Sequence, residues 1–173
     1  MLPISFRSSQ ETVAYAAEEL AFLLRAVSGV EAQLHPEGFA SSGIRLGLLS
    51  ELGRDASDVR DALLDDVVDI EIHGCEGFIA GSNPRSVLMG VYDYAKSMGC
   101  RWVCPGDAGA YLPRCDALSH SFVYRKKADF PFRGECIEGA VSYENVRDTI
   151  RWLPKVGMNL FMMEQIVPYN YMS

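Results

Sequence analysis

The chain has 173 residues, of which 49% are hydrophobic and 23% are charged. This is the composition of an ordinary globular protein, so collagen-like, coiled-coil and disordered classes are excluded. The formal net charge is −7 and the only dense basic cluster is the short run Arg125–Lys127, so we expect no nucleic-acid partner. No apolar run approaches the roughly 18 residues of a membrane span, and the start does not have the pattern of a signal peptide, so no membrane partner is expected.

The five cysteines do not predict a metal site or a disulfide framework. Their number is odd, and the only close pair, Cys100 and Cys104, lacks the second Cys/His pair that would complete a zinc site. We therefore expect no metal and no cofactor. Scattered thiols fit a reducing compartment, which favours a cytoplasmic location; the protein would be secreted or periplasmic if a leader had been removed.

The first 49 residues predict one long helix among three short strands. Ser8 or Ser9 is the expected N-cap and Gly29 the expected stop. Apolar residues recur between them at steps of four and three, which places them on one helical face: Val13, Ala17, Leu20, Leu24 and Val27. The expected strands are Leu2–Phe6, Val30–His35 and Ile44–Leu49.

The next segment predicts a hairpin preceded by an exposed excursion. Residues 50–66 are acidic and polar, with one weak helical turn expected around Val59–Leu63. Val67–His73 alternates between apolar and polar residues, as a half-buried strand does. After a glycine-containing turn, Phe78–Gly81 is expected to pair back against it.

A second amphipathic helix and an irregular stretch complete this part of the chain. Asn83 is the expected cap and Pro84 the first helical residue. Arg101–Cys104 is expected to be a short closing strand. Residues 107–131 are rich in turn-forming residues and are interpreted as a linker or an edge excursion, with one alternating run at His120–Arg125.

The pattern changes after Pro131. Phe132–Ile137 predicts a strand, Tyr143–Lys155 a helix, and Met158–Met163 a nearly unbroken apolar strand of the kind that is buried in a parallel sheet. A strand, a helix and a strand within about 30 residues make a βαβ unit. Such a unit cannot close a core on its own, so we expect its second strand to expose apolar surface and an open edge.

Several short motifs, taken in order, resemble one recurring module. They are Gly77–Gly81, Arg85–Tyr92, Gly99–Trp102 and Pro105-Gly106, followed by Arg133-Gly134 and Gly157–Leu160. The module is the small α/β domain that precedes the catalytic barrel in family 20 hexosaminidases, family 67 alpha-glucuronidases and related bacterial glycosidases. The last two motifs resemble the first two barrel strands of those enzymes.

The resemblance implies an α+β fold and a division of the chain into three parts. Residues 1–112 would form a two-layer sheet with two amphipathic helices, like the hexosaminidase N-terminal domain. Residues 113–131 would be a linker. Residues 132–173 would form the first βαβ unit of a (β/α)8 barrel.

The resemblance also suggests substrate-binding residues. By position, Arg133 corresponds to the strand-one arginine that binds sugar hydroxyls in the hexosaminidases, a role that suits a guanidinium fork. The alternative is that Arg133 forms an ion pair with Glu135 or another acidic group. Trp102 could stack on a sugar, but a tryptophan in a closing strand is more often part of the core.

Two carboxylates are further candidates for substrate contact. Glu138 follows the first barrel strand and Glu164 follows the second, and barrel enzymes bind substrate at the carboxyl ends of their strands. Each could instead be a solvated loop residue. The Asp and Arg-His of hexosaminidase strand one are replaced here by Glu138-Gly139, so we expect a related activity on another substrate. The catalytic acid of the resembled family lies on strand four, so no catalytic residue is assigned.

The function expected from the sequence is therefore that of a non-catalytic N-terminal part of a glycoside hydrolase, inactive by itself, whose parent acts on carbohydrate. The alternative is a stand-alone carbohydrate-binding or protein-interaction module. The exposed strand at the barrel start predicts a homodimer, strand swapping or disorder of residues 140–173.

Overall fold

The computed structural model describes residues 1–7, 9–137 and 142–163. The helices are α1 (Glu11–Ser28), α2 (Pro84–Ser97) and α3 (Tyr143–Trp152). The strands are β1 (Leu2–Ser5), β2 (Ala32–His35), β3 (Ile44–Leu48), β4 (Val67–His73), β5 (Glu76–Gly81), β6 (Arg101–Trp102), β7 (Ala110–Tyr111), β8 (Ser121–Lys127), β9 (Gly134–Ile137) and β10 (Leu160–Met163). Short 3₁₀ turns occupy Asp107–Gly109 and Leu153–Val156.

Six strands form one mixed sheet in the order β2-β1-β3-β5-β4-β8. The pairs among β2, β1, β3 and β5 are parallel, whereas β4 lies antiparallel to both β5 and β8. Helices α1 and α2 pack together with the sheet in one large apolar core. The chain therefore has a mixed α+β fold, as the sequence predicts at this coarse level.

Helix α1 confirms the predicted apolar face, since all five predicted residues are buried. It ends as expected at Gly29, whose φ of 71° is in the left-handed region. The predicted serine cap is wrong for Ser9, and Ser8 lies outside the described residues. Gln10 is the N-cap, because its carbonyl oxygen accepts the first helical bonds from Val13 and Ala14, each at 3.0 Å.

Helix α2 begins as predicted. The Asn83 side chain caps it by accepting a hydrogen bond from the Ser86 amide at 2.9 Å, and Pro84 is its first residue. Gly90 faces the sheet so closely that a Cβ atom there would lie 2.6 Å from Cγ2 of Ile79 and 3.1 Å from Cγ1 of Val68. The absence of a side chain at Gly90 therefore sets the distance between helix and sheet.

The acidic excursion is not simply exposed, which corrects the sequence interpretation. It folds back over the second face of the sheet, where Leu52 and Val59 pack near a small cluster that includes Phe78. Arg54 donates from Nε to Asp69 at 2.9 Å and lies 4.4 Å above the Phe78 ring. Charged side chains thus cover this face, and hydrophobic periodicity does not predict such a layer.

The weak helical turn predicted around Val59–Leu63 lies about two residues later, where the Asp65 amide donates to the Asp61 carbonyl at 2.8 Å, and it does not continue into a helix. Carboxylates within the loop accept backbone N–H groups instead: Asp61 accepts from Leu63 and Asp65 accepts from Arg60, each at 2.8 Å. Side chains that bond to nearby backbone compete with helix formation.

The alternating run inside the stretch interpreted as a linker or edge excursion is the outermost strand of the sheet. Strand β8 pairs with β4, which places Tyr124 opposite Ile70 and Phe122 opposite Ile72. The rings of Phe122 and Tyr124 stack with their centroids 5.4 Å apart and pack against the main core. The closing strand predicted at Arg101–Cys104 is only two residues long in the structure, Arg101–Trp102. This strand, β6, pairs with β7 and not with the six-stranded sheet.

The predicted βαβ unit is present. Strands β9 and β10 pair in parallel, with Gly134 opposite Leu160 and Ile137 opposite Met163. Helix α3 lies between them in the chain and continues as a 3₁₀ turn that ends at Gly157. Met162 of β10 is 52% exposed, which agrees with the apolar surface that the sequence predicts for this strand.

The helices of the described residues include none that is long and apolar enough to cross a membrane.

Replacing Gly90 by alanine tests the helix–sheet contact. Helix propensity alone would favour Gly90→Ala by up to about 1 kcal/mol. We expect the opposite, a loss of about 1–3 kcal/mol in the free energy of unfolding measured in urea, because overpacking forces the neighbouring side chains or backbone to shift.

Thr12→Ala is the control. Thr12 is exposed on α1, so its replacement by alanine changes helix propensity without changing the packing, and the free energy of unfolding should change little. An increase in stability for Gly90→Ala would contradict the close packing.

Candidate functional site

Asp66, immediately before β4, is the most highly connected carboxylate of the described structure. Its side chain is only 2% exposed. Oδ1 lies within hydrogen-bonding distance of three groups at the start of α2: Nε of Arg85 at 2.8 Å, the Ser86 hydroxyl at 2.9 Å and Nδ2 of Asn83 at 3.0 Å. The positive end of a helix favours an anion at this place.

The second oxygen of Asp66 contacts the βαβ unit. Oδ2 accepts hydrogen bonds from Nη2 of Arg133 at 2.7 Å and from Nδ2 of Asn159 at 2.9 Å. Arg133 directly precedes β9, and Asn159 directly precedes β10. One buried carboxylate therefore joins the six-stranded sheet, α2 and the amino ends of both βαβ strands.

These partners determine the charge state of Asp66. Burial alone would raise the pKa of this carboxyl group, but the hydrogen bonds from Arg133, Asn83, Arg85 and Ser86 outweigh burial and hold the pKa below its ordinary value. Asp66 is therefore ionised at neutral pH. Sequence reasoning missed this residue, because an aspartate at the end of an acidic loop carries no local signal of its burial.

Arg133 is engaged on several sides within the protein. Besides Asp66, its guanidinium donates to the Gly157 carbonyl from Nε at 2.7 Å and to the Phe130 carbonyl from Nη1 at 2.6 Å. Its backbone also exchanges hydrogen bonds with Asn159, whose amide donates to the Arg133 carbonyl at 2.7 Å and whose Oδ1 accepts from the Arg133 amide at 3.0 Å. These contacts fix the register of β9 against β10.

The position of Arg133 bears on the role that the family resemblance implies. Arg133 lies at the amino ends of the two parallel strands, whereas barrel enzymes bind substrate at the carboxyl ends. Its ion-pair partner is Asp66 and not Glu135. The geometry favours an anchoring role for Arg133, and sugar binding by this residue stays a prediction.

The other two predicted substrate-binding residues, Glu138 and Glu164, lie outside the described residues. Each follows directly after the last residue of a described strand, Ile137 in β9 and Met163 in β10.

Trp102 belongs to the core and not to an open sugar-binding surface. It is 8% exposed, and its ring meets Tyr92 edge-on with the centroids 5.3 Å apart. Its carbonyl accepts a hydrogen bond from Nε1 of Trp152 at 2.9 Å, and Nζ of Lys155 lies 5.9 Å from the Trp102 ring centroid. This is a second contact between the α+β domain and the βαβ unit.

A cleft of about 240 Å³ opens beside the Asp66–Arg133 pair. It lies between β8, the second half of α2 and residues 128–133. Its lining combines aromatic and charged side chains: Tyr124, Phe130, Asp93, Lys96, Lys126 and Asp129.

All five cysteines are free thiols, and Cys100 is buried. Burial, with a smaller effect from Cys115, raises the pKa of Cys100 to about 11, so this thiol is protonated at neutral pH. Among the residues that are described, no three His, Cys, Asp or Glu side chains are grouped so as to hold a metal ion.

Comparison with known proteins shows a likeness in structure. No family model matches the sequence. No curated protein matches it either. Among solved structures, the chain is similar to a family GH115 4-O-methyl-alpha-glucuronidase with specificity for decorated arabinogalactans, with a TM-score of 0.61 and 13% identity.

The likeness covers 94% of this chain but 25% of the enzyme, so the chain spans about a quarter of that enzyme's length. At 13% identity it shows the fold alone. The fold of this chain is similar to that of part of this glycoside hydrolase.

Replacing Asp66 by asparagine tests the junction. Removing one partner of a buried ion pair typically costs about 3–5 kcal/mol. We expect the low end of that range for Asp66→Asn at neutral pH, since both arginines are partly exposed, measured by urea unfolding with circular dichroism. Because the folded-state pKa is depressed, this contribution is complete above the ordinary carboxyl pKa of about 3.9 and is lost as the pH falls through the folded pKa. The difference between wild type and variant should therefore shrink below about pH 4.

Asp107→Asn is the matched control. Asp107 is an exposed aspartate that forms no salt bridge among the described residues, so its replacement should cost much less. Equal losses for the two variants, or a difference between Asp66→Asn and wild type that does not change with pH, would contradict the role of Asp66.

Proposed function

We propose that this chain supplies the non-catalytic α+β domain and the first βαβ unit of a (β/α)8 barrel in a glycoside hydrolase of the alpha-glucuronidase type. The observation that supports the proposal best is the parallel β9–β10 pair, held against the six-stranded sheet by Asp66, in a chain whose fold is similar over 94% of its length to part of an alpha-glucuronidase.

The proposed task of the α+β domain is to position the start of the barrel. Asp66 holds the amino ends of β9 and β10, which leaves their carboxyl ends free of this contact. Barrel enzymes bind substrate at the carboxyl ends. Glu138 and Glu164 follow those ends in sequence and remain the candidates for substrate contact.

Catalysis itself is proposed to reside elsewhere in the parent enzyme. Glycoside hydrolysis commonly uses two carboxyl groups on either side of the scissile bond. The carboxylate with the most hydrogen-bond partners among the described residues is Asp66. It is buried and held by those partners, so it is not free to act as an acid or a nucleophile. The substrate class proposed for the parent is carbohydrate carrying an alpha-linked uronic acid, as the name of the structural neighbour suggests.

The experiment compares the 173-residue chain with the complete product of its gene on aryl alpha-glucuronides and aryl N-acetylhexosaminides. We expect no hydrolysis by the 173-residue chain and hydrolysis of the alpha-glucuronide by the complete product. Hydrolysis by the 173-residue chain would contradict the non-catalytic role. An inactive complete product would favour the alternative, a stand-alone carbohydrate-binding or interaction module.

Variants of the complete product locate the substrate. Glu138→Gln and Glu164→Gln should raise KM or lower kcat, whereas Glu18→Gln, a replacement of an exposed residue of α1 outside the proposed barrel, should change neither. The same kinetics for all three variants would exclude Glu138 and Glu164 from the site.

A further inference from the structure

The cleft beside Asp66 has the features of a small binding site that the barrel proposal does not use. Its volume of about 240 Å³ is below the roughly 300–1,000 Å³ of sites for drug-sized molecules, so it suits a single small ring. Val68 and Met89 contribute apolar lining from the sheet and α2. Phe130 is 69% exposed, and its ring and that of Tyr124 line the same cleft.

The cleft is lined by equal numbers of positively charged side chains, which donate hydrogen bonds, and carboxylates, which accept them. Lys96 donates to Asp93 at 2.7 Å. Lys126 and Asp129 add a second cation and a second carboxylate, and neither has a salt-bridge partner among the described residues. Arg133 and Asp66 also line the cleft, where they form an ion pair and add one positive and one negative charge; Asp66 pairs as well with Arg85, which does not line the cleft.

This balance selects the kind of ligand. With two lysines against two carboxylates the cleft carries no net charge, so it offers little attraction to a phosphate, a carboxylate or a metal cation. A hydroxyl group can accept a hydrogen bond from a lysine and donate one to a carboxylate at the same time. Aromatic rings at the same site can pack against the C–H face of a sugar ring.

We propose that this cleft binds a neutral monosaccharide unit, with Tyr124 and Phe130 against the ring and Lys126 and Asp129 bonded to its hydroxyls. The cleft lies where the six-stranded sheet and α2 meet the βαβ unit, since Arg133, Val156 and Gly157 also line it. It is distinct from the substrate contacts proposed for Glu138 and Glu164. It does not depend on the activity of the parent enzyme. The domain would then hold a carbohydrate chain in addition to positioning the barrel.

The test is a titration of the 173-residue chain with D-glucose, D-galactose, D-xylose and L-arabinose, followed by the amide chemical shifts. We expect saturable shifts for at least one of these sugars, confined to residues 93–96 and 124–133. D-Glucuronate, which differs from D-glucose by a carboxylate, should bind no better than D-glucose.

Three variants decide whether the cleft is the site. Phe130→Ala and Asp129→Asn should each weaken binding several-fold, since the first removes the exposed ring and the second removes a charged acceptor. Val123→Ala, at an exposed position of β8 next to Tyr124 in sequence, should bind like the wild type. Circular dichroism verifies that each variant is folded.

Three outcomes would overturn the proposal: no shifts with any of the four sugars, tighter binding of D-glucuronate than of D-glucose, or equal losses in Phe130→Ala and Val123→Ala. None of them bears on the hydrolysis assay of the complete gene product, so this proposal and the proposed function fail independently.

Discussion

The buried carboxylate of Asp66 is the interaction on which the arrangement of the two parts depends. Removing an ionised group from water costs several kcal/mol, and only close donors can offset this cost. Here the donors come from both sides: Arg85, Ser86 and Asn83 from the start of α2, and Arg133 and Asn159 from the βαβ unit. If the unit moved away, Asp66 would lose two of its five partners while it remained in the apolar surroundings of the sheet.

This constraint also gives the βαβ unit its orientation. Arg133 and Asn159 precede β9 and β10, so their bonds to Asp66 fix the amino ends of a parallel pair. The contact of Trp152 with Trp102 adds a second fixed point on the same unit. A domain that holds the amino ends acts on the stability of a barrel, while the carboxyl ends carry its chemistry.

Much of the fold follows from local patterns in the sequence. The spacing of apolar residues in α1 and the Asn83-Pro84 start of α2 each reflect a constraint within a few neighbouring residues, and each is present in the structure. The βαβ unit was predictable for the same reason. The family motifs placed Arg133 and Asn159 in the first two barrel strands, although they did not reveal what these residues contact. The strand predicted at Val67–His73 is also present as β4, but it is not half-buried at its start, because Arg54 covers the buried Asp69.

The features that could not be predicted depend on residues distant in sequence. The position of β8 at the sheet edge depends on its pairing with β4, about 50 residues earlier, and the return of the acidic loop onto the sheet depends on Arg54 meeting Asp69 and Phe78. Asp66 meets Asn159 across 93 positions of sequence. Neither the periodicity nor the spacing of residues in the sequence predicts a contact between residues so far apart in the chain.

Amide hydrogen exchange measures the attachment of the βαβ unit most directly, in a comparison of Arg133→Gln with Arg85→Gln. Each variant removes one guanidinium from Asp66, the first from the βαβ side and the second from the α2 side. If Asp66 attaches the unit to the sheet, Arg133→Gln should lower the protection of β9 and β10 amides while those of β4 and β5 stay protected, and Arg85→Gln should not do so selectively. Unchanged protection of β9 and β10 in Arg133→Gln, or the same selective loss in both variants, would contradict the central role given to the Asp66–Arg133 contact.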